Sequence, residues 1–189
     1  MPSPTDKRVT TSGGAPHGAA QQPAPQATAA GRIARVALLA ALALIFSYVE
    51  AIIPYTPAVP GIKLGVANLV VIIALYRYGA RDALLINLVR IVIAGLLFNG
   101  LFGMLYSLAG AAVSLLGMIA LKKAGPFSVA GVSMAGGVLH NLGQLIVAAL
   151  LIEDVRIFGY FPVLMFSGIV SGIAIGVLAH IVLARLSRI

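Results

Sequence analysis

The sequence predicts an all-α integral membrane protein, a bundle of six transmembrane helices. Two observations carry this: 60% of the 189 residues are hydrophobic against 10% charged, and Lys and Arg crowd onto the connections of one side. A water-soluble domain could not cover that much apolar side chain with polar surface, so the bilayer is its solvent. Residues 1–31 are the exception. They are rich in Pro, Ala, Gln, Ser, Thr and Gly and bury too little to offset the entropy of ordering, which predicts a disordered cytoplasmic tail before a membrane domain over 32–189. A stretch polar for so long before the first apolar run is a poor fit to a cleaved secretory signal.

A helix needs about 20 apolar residues to cross ~30 Å of hydrocarbon, and shorter ones span when flanking Lys or Arg snorkel outward. The expected helices are 36–53, 64–78, 81–98, 101–121, 127–152 and 161–185. Pro54, Pro57 and Pro60 end the first, because proline breaks helical hydrogen bonding. The second is short, but Lys63 and Arg77 flank it, and Tyr76 and Tyr78 suit the headgroup level. The third is interrupted only by Arg90, and Asn99-Gly100 is a turn signal that parts it from the fourth. Lys122, Lys123 and Gly125-Pro126 precede the fifth, and the polar stretch from Glu153 to Arg156 precedes the sixth.

With the amino terminus inside, that side holds Lys7, Arg8, Arg32, Arg35, Arg77, Arg81, Lys122, Lys123, Arg185 and Arg188 out of 13 basic residues. The outside keeps Lys63 and Arg156, so both termini are expected in the cytoplasm of a multi-pass protein of the cell membrane. This asymmetry accounts for the net charge of +8 without nucleic acid, and no basic and aromatic interleaving argues for it. The absence of Cys excludes a disulfide framework and thiolate metal sites, and His17, His140 and His180 lie in three separate segments. No metal site and no catalytic residue is expected.

Polar groups at mid-membrane depth are the candidate site, because an ionised side chain there costs ~3 kcal/mol on insertion scales and faces a partner or a wet cavity. Arg90 is that residue, with Asn87 one turn earlier. Its guanidinium suits a carboxylate or phosphate on a ligand, or serves a structural ion pair, with Glu50 for instance. On the fifth helix His140, Asn141 and Gln144 cluster near the midpoint beside Gly136, either lining a pocket or hydrogen bonding between helices. Lys63 and Asn68 open the second helix as further candidate contacts, Lys63 serving equally as a snorkelling anchor. Small residues recur at Ala37 and Ala41, and at Gly168, Gly172 and Gly176, the spacing of close helix approach.

Three stretches carry a family likeness: Pro60-Gly-Ile-Lys-Leu-Gly-Val-Ala-Asn68, Tyr106-Ser-Leu-Ala-Gly110, and Gly131-Val-Ser-Met-Ala-Gly-Gly-Val-Leu-His-Asn-Leu-Gly-Gln144. Over residues 32–186 the chain resembles the Gx transporter family, also labelled heptaprenyl diphosphate synthase component I. It is similar as well to the substrate-binding membrane subunits, or S components, of energy-coupling factor transporters. The resemblance implies an S-component-like bundle that captures a small molecule from outside and works with a transmembrane coupling subunit and ATPases. It implies that Ala37 and Ala41 face the coupling subunit and that the loop from Pro54 to Gly61 closes over the ligand. No Walker-type phosphate loop is present, so no cofactor is expected and ATP acts only through a partner ATPase.

The second family label implies an alternative, a membrane subunit attached to a prenyl diphosphate synthase. Prenyl elongation needs clustered carboxylates to hold Mg²⁺. Asp6, Asp82 and Asp154 are dispersed, so on that reading too the chain is expected not to be an enzyme itself.

Overall fold

The computed structural model describes residues 28–53, 65–186 and 188. Among them the chain is helical with no strand: α1 (Ala29–Ile52), α2 (Val66–Arg77), α3 (Ala80–Ala94), a π-helical turn (Gly95–Asn99), α4 (Gly100–Ala124), α5 (Val129–Ile152), a 3₁₀ segment (Val155–Tyr160) and α6 (Phe161–Leu186). Four stretches are long and apolar enough to cross a membrane: Ala29–Ile52, Ala80–Ala124, Val129–Ile152 and Val155–Leu186. The expected count of six exceeds this because α2 is short and because α3, the π turn and α4 follow one another as one unbroken stretch of helical residues. Large apolar side chains face outward all round, Leu96 and Leu150 at 77% and 72% exposure, and only a lipid solvent accepts that. This is a multi-pass membrane protein.

Helix α1 starts at Ala29, earlier than the expected residue 36. Thr28 caps it, its hydroxyl accepting from the Gly31 N–H at 3.2 Å, and the Ala and Arg residues that follow are good helix formers. Ser128 caps α5 in the same way, accepting from Gly131 N–H at 3.1 Å. Apart from Asn68 and its last turn, helix α2 is apolar all round because it is enclosed. Val70, Val71, Ile72 and Leu75 are among the most completely buried side chains of the protein, packed between α1, α3 and α6.

The sharp turn at Asn99-Gly100 is real. Gly100 has φ +71° and ψ 174°, outside the helical region, and a Cβ on Gly95 would meet the Met104 side chain. In a straight helix those residues would stand about 13 Å apart along the axis. Helix α5 packs most extensively on α6 and α4. Its approach to α6 is through backbone: a Cβ on Gly172 would lie 2.6 Å from Met134 Cα, and one on Gly168 would lie 2.9 Å from the Gly137 carbonyl. The Gly168, Gly172, Gly176 stripe is therefore an internal seam of the bundle.

One end of the bundle is basic and tied together. Arg32 of α1 pairs with Asp82 of α3 at 2.7 Å, and Arg35 stacks 4.9 Å over the Tyr78 ring. Lys122 of α4 donates to the Leu75 carbonyl of α2 at 2.6 Å and sits 4.8 Å over the Tyr76 ring. The start of α1, the end of α2, the start of α3 and the end of α4 thus share one face of the bundle. The end of α1 and the start of α2 meet at the other.

Candidate functional site

At that other end, and reaching to mid-depth, lies a cavity of about 270 Å³. Every helix contributes to its wall, with Ser47 and Glu50 from α1, Asn68 from α2, Arg90 from α3, Ser107 and Ser114 from α4, Ser133, His140 and Asn141 from α5, and Ser171 from α6. Helix α2 covers only roughly 18 Å, less than the ~30 Å hydrocarbon depth, and its first turn borders this space. Ile53 and Gly65, which flank the undescribed residues 54–64, line it too.

Arg90 is held by neutral oxygens. Its Nη2 donates to Asn87 Oδ1 at 2.7 Å and its Nη1 to Ser47 Oγ at 3.1 Å. Ser47 spends its own proton on the Ala43 carbonyl at 3.0 Å, which leaves its lone pairs to receive Arg90. The buried Nε of Arg90 has no partner among the described residues. The ion pair with Glu50 does not form; among the described residues the salt bridge is Arg32–Asp82, at the basic end.

Glu50 has another task. The cap residue of α2, Gly65, sits at φ +73° and carries no side chain to satisfy the exposed N–H groups. A Glu50 carboxylate oxygen accepts from Val66 N–H at 3.0 Å instead, and its charge complements the positive end of the α2 dipole. Asn141 is partly committed, its Nδ2 donating to the Leu164 carbonyl of α6 at 2.7 Å. That bond satisfies the interhelical reading, while the residue also faces the cavity.

The structure thus brings Arg90, His140, Asn141 and Asn68 to one cavity. Gln144 is not on its wall; its Cγ lies over Gly110, at the contact between α4 and α5. Lys63 and the Pro54 to Gly61 loop fall outside the described residues. Ala37 and Ala41 are exposed on the outer face of α1, making no part of the internal core. Sequence reasoning missed the serines and the place of Glu50. Ser107 falls inside one of the likeness stretches and Ser133 inside another, which is the signal that could have found them. No group of His, Cys, Asp and Glu among the described residues is arranged to hold a metal ion.

Fold and site define a helical membrane protein with an internal cavity lined by hydroxyl, amide, guanidinium and carboxylate groups. The chain belongs to the heptaprenyl diphosphate synthase component I family, whose profile matches residues 39–182. No curated protein and no solved structure gives a significant match.

Proposed function

We propose that the chain is the membrane-embedded substrate-binding subunit of an energy-coupling-factor-like uptake transporter, capturing a small molecule from outside. The observation that carries this is the polar cavity at the end opposite the basic cluster. Basic residues stay on the cytoplasmic side, so the basic end is inside, both termini are cytoplasmic in the cell membrane, and the cavity opens outward. On this topology α2 is a short crossing, and α3 and α4 are separate crossings folded back at Gly100, for six in all.

Arg90, His140, Asn141 and Asn68 are the proposed contacts, and Ala37 with Ala41 the proposed surface for a transmembrane coupling subunit. ATP is consumed by partner ATPases, and the chain itself is non-catalytic. The family's description favours a second reading, a membrane subunit that assists a prenyl diphosphate synthase. Purification of the tagged chain from native membranes, with mass spectrometry of copurifying proteins, separates the two. The uptake reading expects ATPases and a coupling subunit; a prenyl diphosphate synthase in their place would refute it.

A further inference from the structure

The charges within the cavity constrain what it takes. Arg90 and Glu50 both line it, yet they are not in ion-pair contact, and each is fixed by a neutral group of the protein. Glu50 is engaged through one carboxylate oxygen, and the buried Nε of Arg90 has no partner among the described residues. Among the described residues the wall therefore presents one arginine and one carboxylate that are not in ion-pair contact. A ligand carrying net charge would match one of them and oppose the other, leaving uncompensated charge within the membrane, where screening is weak.

We infer that the cavity takes a small zwitterion, an anionic oxygen group lying against Arg90 and a protonated nitrogen against Glu50. This rests on the substrate-capture reading. The rest of the wall fits such a molecule, since Ser47, Ser107, Ser114, Ser133 and Ser171 offer hydroxyls that both donate and accept. The same wall is wrong for a prenyl diphosphate. Its several negative charges would meet a single arginine and a carboxylate among the described residues. The volume of about 270 Å³ lies at the small end of ligand sites.

The test is charge typing of what the protein carries. Small molecules released by denaturing the full-length chain, purified from native membranes, are compared with those from Glu50→Gln and Arg90→Leu. Glu50→Gln keeps an oxygen to accept from Val66 N–H while removing the charge, so its unfolding temperature should fall by no more than about 4 °C, the worth of the lost interaction with the α2 dipole. The expected result is a molecule enriched in wild type that binds a cation exchanger at low pH and an anion exchanger at high pH. It should be depleted about tenfold or more in both variants. An enriched molecule that binds only one exchanger would overturn the zwitterion and leave substrate capture standing. No enriched molecule at all would overturn both. As a defined probe, millimolar inorganic diphosphate should leave the unfolding temperature unchanged, and a rise that Arg90→Leu abolishes would contradict the inference.

Discussion

Replacing Gly172 by alanine puts a methyl group where α6 meets the backbone of α5. The new Cβ would stand 2.6 Å from Met134 Cα and 2.8 Å from the Ser133 carbonyl oxygen, whereas ordinary contact begins at 3.4 Å, so the helices must part by about 0.8 Å. Both neighbours are backbone, and no change of rotamer relieves the clash. Overpacking of this kind costs ~1–3 kcal/mol. At about 2–4 °C per kcal/mol for a chain of this size, the unfolding temperature should fall by roughly 2–12 °C. The assay is thermal unfolding of purified protein in lipid nanodiscs. Gly159→Ala serves as control, because nothing lies within 4 Å of its Cβ position, and it should stay within about 0.5 kcal/mol of wild type. Equal stability of Gly172→Ala and Gly159→Ala would refute the close seam between α5 and α6. Gly172 and Ser133 also line the cavity, so the parted helices should hold the copurifying molecule less well.

Other outcomes follow from single contacts. Ala41→Trp adds bulk to an exposed face of α1, so unfolding should be unchanged while copurification of a coupling subunit is lost. Ser128→Ala removes the acceptor for Gly131 N–H at the start of α5 and should cost ~1 kcal/mol in the same unfolding assay. Lys122→Met loses both the bond to the Leu75 carbonyl and the stacking over Tyr76, for about 1–3 kcal/mol.

Arg90 was legible because a charge in an apolar run has few reasons to exist, and Asn68, His140 and Asn141 stood out for the same reason. The turn at Asn99-Gly100 was legible from local chemistry alone. The serines were not, since a hydroxyl is common in membrane helices and only the tertiary arrangement gathers Ser47, Ser107, Ser114, Ser133 and Ser171 around one space. Glu50 read as an ion-pair partner for Arg90; its role instead depends on α2 beginning with a glycine that cannot cap itself. Gln144 shares a helix face with His140 but packs over Gly110, because α4 approaches α5 closely there and closes that part of the face. The early start of α1 was hidden because Arg32 and Arg35 counted only as inside charges, although Arg32 pairs with Asp82 and Arg35 covers Tyr78.

Native mass spectrometry of the intact chain released from lipid nanodiscs tests the central claim most directly. Substrate capture predicts one small molecule bound per wild-type chain, and none in an Arg90→Leu chain that unfolds at a similar temperature. A wild-type chain that carries no small molecule, or the same adduct on both proteins, would contradict it.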